Sequence, residues 1–372
     1  MFKTKKNKKS IGTRDWPIAK SSEWMVPIEG NSVNVYDEQS FFDELIRSLR
    51  KAKYFIYMVF FTIENRGISV KVLNVLKEMA SKGVEIKLMI DWMGCNIINV
   101  EKQDGRTRRM SLNEDFLNQY RSENFEIVYY NRWPKIFPRN HQKMVIIDCK
   151  VAFVGGMNLV DGYITGIEGR RGHAYYTDKQ LQLLGPIVPK LCQIFAAIWE
   201  ETTHKRLQIN LANVQKAGDI SLSVITTCGH RFRPYFEDIM VKLIDSAQKE
   251  ILIRSPYVVL LPRVKRALKH AIRNRHVKVI FLLGLESDMS PLFEAILSLF
   301  ASSAKRIGAK VVKNPGYFHH DKCIIIDETK LLTGSHNMDL ISCLLQHEIS
   351  IITDNKNIID IFLSYARSCM GE

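Results

Sequence analysis

The stretch HQKMVIIDCKVAFVGGMN, residues 141–158, decides the fold. The four apolar residues from Met144 to Ile147 predict a buried β-strand. Because alternate side chains share one face of a strand, His141 and Lys143 point to the same side. A titratable ring beside a fixed cation suits an anionic ligand, of which phosphate is the obvious example.

The same pattern returns as HDKCIIIDETKLLTGSHN, residues 320–337. Lysine, aspartate, glycine and asparagine stand at identical distances from the histidine in both copies. These positions are Lys143, Asp148, Gly155 and Asn158 after His141, and Lys322, Asp327, Gly334 and Asn337 after His320. A shared pattern over 18 positions is far more specific than a short motif. The repeat therefore predicts two related halves.

The segments around each motif repeat as well. Each half reads as helix, strand, helix, strand, a connecting segment and then the motif strand, and such alternation indicates an α/β protein with parallel pairing. We predict two tandem pseudo-symmetric lobes, each a mostly parallel sheet flanked by helices, with one active site at their interface. The expected boundaries are a basic N-terminal arm over 1–30, a first lobe over 31–208 and a second over 209–372.

Composition narrows the class of partner. The chain has 372 residues, 46% hydrophobic and 25% charged, which excludes global disorder. A formal net charge of +14 favours nucleic acid, acidic lipid headgroups or phosphorylated substrates. The start, MFKTKKNKKS, carries five lysines in nine residues, which would be attracted weakly to an anionic membrane. Seven scattered cysteines without a C-x-x-C pair predict a reduced compartment, with neither a disulfide framework nor a zinc site.

Two histidines from two halves allow one reaction with two roles. One attacks phosphorus to form a phosphohistidine, and the other protonates the leaving alcohol and then deprotonates the incoming alcohol or water. Lys143 and Lys322 would neutralise the non-bridging oxygens, to which Asn158 and Asn337 would donate hydrogen bonds. A nucleophilic histidine must be neutral with its second nitrogen held by an acceptor, and the candidates for this are Asp178 and Glu348. This scheme needs neither a cofactor nor a metal.

The double motif resembles the phospholipase D superfamily, the HKD proteins, from about residue 36 to residue 352. DWMGC (91–95) resembles the D-x-x-G-S segment of that superfamily. Three further segments resemble bacterial cardiolipin synthases: TDKQLQLLGPIVPKLCQIFAAIWEE (177–201), RSPYVVLLPRVKRALKHA (254–271) and LESDMSPLF (285–293). The resemblance implies two α/β lobes and a metal-independent phosphohistidine mechanism, with His141 as nucleophile and His320 as general acid. We expect the aspartates of the two motifs, Asp148 and Asp327, to be catalytic together with the histidines and lysines.

The sequence departs from the family pattern at two places. The first motif ends in GGMN where many members have a serine, so Ser335 in the GSHN of the second motif is the one candidate for a phosphate-contacting hydroxyl. His276 replaces the usual glycine before the second V-x-V strand.

Several functions remain open at this point. The resemblance favours a phosphatidyltransferase of cardiolipin-synthase type that acts on an anionic phospholipid such as phosphatidylglycerol. The alternatives are a hydrolytic phospholipase D, a metal-independent nuclease or phosphodiesterase, and a silent membrane-binding scaffold. Without the N-terminal membrane helices common in these synthases, we expect a cytoplasmic protein peripheral at the inner membrane face.

The apolar run 290–308 is either an interfacial helix or core. The aromatic segment 129–140 is either a loop at the mouth of the site or an ordinary surface loop.

Overall fold

The computed structural model describes residues 26–98, 100–103, 106–109, 112, 114–132, 134–169, 172–209, 214–228, 235–284, 291–314 and 317–371. The lysine-rich start and the segment 285–290 lie outside the described residues. The predicted arm overlaps the first strand, which already begins at Ile28.

The first half contains β1 (Ile28–Tyr36), α1 (Glu38–Leu49), β2 (Phe55–Phe60), α2 (Gly67–Ser81), β3 (Glu85–Asp91), a π-helical turn (Gly94–Ile98), β4 (Val100–Gln103), β5 (Arg106–Arg109), α3 (Glu114–Asn118), β6 (Phe125–Tyr130), β7 (Arg139–Asn140), β8 (Met144–Ile147), β9 (Val151–Gly155), α4 (Gly162–Thr165), β10 (Ile167–Gly169), β11 (Gly172–Thr177), β12 (Gln180–Leu184) and α5 (Ile187–Thr203). The second half contains β13 (Ile220–Thr227), α6 (Tyr235–Ser246), β14 (Glu250–Arg254), α7 (Pro262–Arg275), β15 (Lys278–Gly284), α8 (Pro291–Ile307), β16 (Lys310–Asn314), β17 (Tyr317–His319), β18 (Lys322–Ile326), β19 (Lys330–Gly334), α9 (Leu340–Leu345), β20 (Gln346–Thr353) and α10 (Lys356–Met370).

One continuous sheet runs through both halves. Its order is β6-β3-β2-β8-β9-β12-β1 in the first half, followed by β13-β20-β19-β18-β14-β15-β16 in the second. The halves join through antiparallel pairing of β1 with β13, in which Ile28 faces Leu222 and Asn31 faces Ile220. The repeat seen in the sequence therefore appears as two copies of one strand order that meet edge to edge.

The α/β class is confirmed, but the mostly parallel pairing is wrong. In the first half β2–β3 and β3–β6 are parallel, whereas β2–β8, β8–β9, β9–β12 and β12–β1 are antiparallel. The second half repeats this mixture. The physical reason is connection length. Only the short turn 148–150 separates β8 from β9, and a parallel pair would need a crossover of a dozen residues or more.

Helices cover both faces of the sheet. In the first half α1 and α2 bury one face, and α2 does so through Val72, Val75, Leu76 and Met79, at the spacing expected of an amphipathic helix. On the other face α5 and α10 share one core, with Phe195 and Trp199 in the same cluster as Phe362. This shared core crosses from one half to the other, so both halves pack as one body.

The predicted lobe boundary falls where the described residues form neither helix nor strand, between Thr203 and Ile220. The division into lobes stays a prediction. In α8 the side chain of Leu299 is 70% exposed while its neighbour Phe300 is buried, and the side chains of 291–297 are outside the described set. Among the helices that the structure describes, none has the length and apolar character needed to cross a bilayer.

Candidate active site

The short strand that precedes each motif histidine pairs with a strand of the opposite half of the chain. In the first half β7 pairs in parallel with β20, so that Asn140 faces His347. In the second half β17 pairs with β11, so that His319 faces Thr177. We call these two strand pairs between the halves the seams. In each case the motif histidine follows the paired strand, and its backbone N–H donates a hydrogen bond across the same seam.

The backbone of each histidine is therefore fixed by a carbonyl group from the other half. His141 N–H donates to the His347 carbonyl oxygen at 2.9 Å. His320 N–H donates to the Thr177 carbonyl oxygen, also at 2.9 Å. The acceptor residues directly precede Glu348 and Asp178, so the same two seams deliver the acidic groups.

The imidazole rings are held by exchanged acids. His141 Nδ1 lies 2.9 Å from Glu348 Oε1, and His320 Nδ1 lies 2.8 Å from Asp178 Oδ2. The structure thus brings both candidate acids to the histidines, each to the histidine of the opposite half. In both pairs the Nδ1 side of the ring is occupied, which directs Nε2 toward a reacting group.

Hydroxyl groups hold Glu348. Ser342 Oγ donates to its Oε1 at 2.6 Å, and Ser335 Oγ donates to its Oε2. Burial raises the pKa of Glu348, against the lowering effects of His336, Lys143 and these two hydroxyls. Ser335 was expected to contact phosphate. Its hydroxyl instead donates a hydrogen bond to Glu348 and accepts one from the Ile349 N–H at 2.9 Å.

The His320 side has a different second partner. The hydroxyl of Tyr163 lies 3.0 Å from His320 Nδ1, beside Asp178. Burial raises the pKa of Asp178 to about 6, although Lys322 acts in the opposite direction. Sequence reasoning missed both Tyr163 and Ser342. Each stands 22 residues after its motif histidine, so extending the repeat by a few positions would have found them.

Two buried lysines complete the polar centre. Lys143 Nζ donates to the His141 carbonyl oxygen at 2.6 Å and lies 5.4 Å from the centre of the Phe61 ring. Lys322 Nζ donates to the His320 carbonyl oxygen and lies 3.2 Å from the ring nitrogen His320 Nε2. Burial lowers the pKa of Lys143, which Glu348 partly opposes.

Electrostatics tie the two motifs into one site. Burial lowers the pKa of His141 well below its ordinary value, and Lys143 and Lys322 lower it further. Burial likewise lowers the pKa of His320, followed by the same two lysines and by His141. Each imidazole therefore lies in the field of both lysines and is neutral before an anion arrives.

The two asparagines lie buried close to the motifs. Asn158 Oδ1 accepts a hydrogen bond from Thr62 N–H at 3.2 Å, which fixes the orientation of its amide group. The backbone N–H of Asn337 donates to Ser342 Oγ at 3.2 Å. Their donation to a bound phosphate stays a prediction.

Asp148 and Asp327 are not brought to the histidines. The Asp148 carboxylate accepts from the backbone N–H groups of 53, 54 and 55 at 2.7–2.8 Å, at the end of β8 remote from His141. The Asp327 carboxylate accepts from those of 248, 249 and 250 at 2.7–2.9 Å. These contacts fix the starts of β2 and β14, so the geometry gives both residues a structural position in place of the expected catalytic one.

Comparison with known proteins shows the family of the chain. Residues 45–167 and 240–370 match the family described as cardiolipin synthase, PLD-like domain. The chain belongs to this family. It is similar to the cardiolipin synthase of Oceanobacillus iheyensis, at 26% identity over 87% of this chain and 65% of that protein. It is also similar to the minor cardiolipin synthase ClsB of Bacillus subtilis, at 26% identity over 84% of this chain and 75% of that protein. The chain thus spans less than two thirds of the first of these relatives.

Solved structures confirm the fold. The phosphatidylserine synthase of Haemophilus influenzae superposes with a TM-score of 0.69 at 13% identity, over 94% of this chain and 89% of that one. A polyphosphate kinase from Porphyromonas gingivalis gives 0.57 at 10% identity, over 91% of this chain and 47% of that one. At these identities the likeness shows the fold alone.

Proposed function

We propose that the chain is a phosphatidyltransferase of the cardiolipin-synthase type. It would move a phosphatidyl group from one anionic phospholipid to the headgroup alcohol of another. The observation that carries this proposal is the pair of buried histidines, each held by an acid from the opposite half and flanked by two lysines. The names of the relatives supply the lipid class.

The first step forms the covalent intermediate. Glu348 accepts a hydrogen bond from the Nδ1–H of neutral His141, which leaves the Nε2 lone pair for attack on phosphorus. The P–N bond forms while the bond from phosphorus to the leaving alcohol oxygen breaks, and His320 gives its Nε2 proton to that oxygen. The bound phosphodiester anion supplies the charge that lets His320 carry this proton, since the empty site disfavours the imidazolium.

The second step reverses the proton transfer. His320 removes the proton from the acceptor alcohol as the new P–O bond forms and the P–N bond breaks. Tyr163 and Asp178, both at His320 Nδ1, fit this repeated uptake and release of a proton. The two hydroxyl donors on Glu348 fit the other role, because they hold its carboxylate still beside the nucleophile.

Lys143 and Lys322 would stabilise the negative charge that builds on the non-bridging oxygens in both steps. Their burial strengthens this effect, because few waters screen them. The scheme routes no step through a metal ion.

An exposed apolar rim supports a lipid substrate. Seven large hydrophobic residues are exposed within five positions of a residue in the site, and we call them the apolar rim: Ile136, Phe137, Ile164, Tyr175, Tyr317, Leu340 and Ile341. Tyr175 and Tyr317 are paired across β11 and β17, and exposed apolar patches mark interaction surfaces. The aromatic members would also stack on nucleic acid bases, but the four aliphatic ones favour acyl chains. Together with the net charge of +14, they suit docking at the anionic inner face of the membrane.

The test presents both substrate classes to the same protein. With phosphatidylglycerol vesicles we expect a dimeric phospholipid plus glycerol. Phosphatidic acid as the sole product would indicate a hydrolase instead. In parallel, single- and double-stranded DNA and RNA are incubated without added metal, and cleavage much faster than lipid turnover would overturn the proposal.

Membrane docking has its own matched pair of variants. Ile341→Asp changes a rim residue that is 43% exposed, and Ile361→Asp makes the same change on α10 at 42% exposure. We expect vesicle binding and vesicle turnover to fall in the first variant only, with turnover of a short-chain soluble phospholipid preserved in both. Equal losses of vesicle binding in both variants would contradict the proposal that the apolar rim contacts the membrane.

A further inference from the structure

A cluster of metal-ligand groups lies beside the active site and has no part in the proposed reaction. Antiparallel pairing of β13 with β20 sets Thr227 opposite Glu348. Cys228 directly follows Thr227, and His347 directly precedes Glu348. The end of α5 adds Glu201. The three ligand atoms, one from each side chain, all lie within 4.8 Å of one another.

The distance between two of these ligand atoms matches a tetrahedral zinc site. Zinc binds nitrogen and oxygen at about 2.0–2.1 Å and sulfur at about 2.3 Å, which makes the edges of a tetrahedral site roughly 3.3–3.8 Å long. His347 Nε2 and Glu201 Oε1 are 3.4 Å apart, in that range. The Tyr130 hydroxyl lies 2.7 Å from each of these two atoms, so a fourth potential ligand atom, an oxygen, already adjoins the cluster.

The donor set also selects the ion. A thiolate, an imidazole and a carboxylate together are typical of zinc rather than of magnesium or calcium, which prefer oxygen alone. The negative charges of the Cys228 thiolate and of Glu201 balance a divalent cation. His347 is fully buried and Glu201 is partly exposed, so the cluster is preorganised on one side and open to solvent on the other.

We propose that Glu201, Cys228 and His347 bind one Zn²⁺ ion, with the Tyr130 hydroxyl next to the fourth position. Binding releases the thiol proton of Cys228 to solvent. Glu201 and Tyr130 come from the first half of the chain, and Cys228 and His347 come from the second. The ion would therefore fasten the two halves together at the residue whose carbonyl group holds His141. The site is structural and independent of the proposed transfer reaction.

Direct metal binding tests this site without any activity assay. The full chain is stripped with a chelator and titrated with Zn²⁺ and then with Co²⁺. We expect one equivalent of each ion to bind, a higher melting temperature with Zn²⁺, and a sulfur-to-cobalt charge-transfer band in the near ultraviolet. A wild-type protein without saturable one-to-one binding would overturn the proposal.

Variants locate the ligands. Cys228→Ser should abolish the charge-transfer band and the thermal shift, and Glu201→Gln should weaken the affinity while keeping the band. Cys369→Ser is the control, since Cys369 is also a partly buried cysteine outside any disulfide but lies outside the cluster. A charge-transfer band that survives in Cys228→Ser, or one that disappears in Cys369→Ser, would also refute the assignment. None of these outcomes depends on the substrate of the active site.

Discussion

Replacing Asp178 with asparagine tests the exchange of acids between the two halves. The carboxylate of Asp178 lies 2.8 Å from His320 Nδ1 and is almost completely buried. A hydrogen bond to a charged group contributes about 1.5–3 kcal/mol, which corresponds to a rate loss of about 10- to 150-fold if it is made fully in the transition state. We expect a loss of this size in Asp178→Asn with phosphatidylglycerol.

A chromogenic substrate separates the two steps of the reaction. Phosphatidyl-p-nitrophenol has a leaving group that departs without a general acid, so the first step no longer needs His320. In Asp178→Asn we expect a burst of about one p-nitrophenolate per site, followed by slow turnover, because only the second step is impaired. In Glu348→Gln we expect no burst, because the tautomer of His141 is no longer fixed.

The matched control is Asp321→Asn. Asp321 is also buried, directly follows His320 and has a pKa raised by burial to about 6, but its carboxylate pairs with Arg254 at 2.7 Å. Its turnover per folded molecule should stay near that of the wild type. A burst that is lost in Asp178→Asn and kept in Glu348→Gln would show that His320 is the nucleophile. Unchanged rates in both variants would refute the orienting role of the exchanged acids.

Four further outcomes follow from the same contacts. Lys322→Met should lower turnover about 10²- to 10³-fold, through lost stabilisation of the phosphate charge, and leave circular dichroism unchanged. Asp148→Asn should lower the free energy of unfolding by about 1–3 kcal/mol in urea titrations, with normal turnover per folded molecule; a collapse of turnover would restore its catalytic role. Tyr163→Phe should slow turnover about two- to tenfold without altering vesicle binding. Burial raises the pKa of Asp178 to about 6 in the folded state, so its ionisation above that pH lowers the free energy of unfolding. At pH 8 the free energy of unfolding of Asp178→Asn should therefore exceed that of the wild type by up to about 3 kcal/mol, and this difference should disappear as the pH falls from 6 toward 4.

The sequence repeat was enough to predict the fold class and the two histidine–lysine pairs. The repeated H-x-K pattern is a local signal. Residues two apart in an extended segment share one face, so the histidine and the lysine lie on the same side independently of the rest of the fold. The direction of strand pairing was not predictable in this way, because helix–strand alternation says little about a motif strand that turns straight back through 148–150.

The repeat also could not separate residues needed for folding from residues needed for chemistry. Asp148 and Asp327 recur because each half needs the same carboxylate to fix a strand start, which looks identical to a catalytic repeat in the sequence. The exchange of Asp178 and Glu348 was hidden for a different reason. Asp178 and Glu348 stand 37 and 28 residues after the histidine of their own half, and the spacings differ because the hairpin β10–β11 lengthens the first half. Each acid contacts the histidine of the other half, and local spacing in the sequence does not show this contact.

The exchanged seams also set the time at which activity appears during synthesis. His141 and Lys143 are made well before β20, so His141 has neither its backbone acceptor nor its acid until His347 and Glu348 have been made. In a nascent or truncated chain that ends before β20, the tautomer of His141, the proposed nucleophile, is therefore not fixed. We therefore expect activity to appear only after β20 has been made, which would protect the membrane beside the ribosome from half-made enzyme.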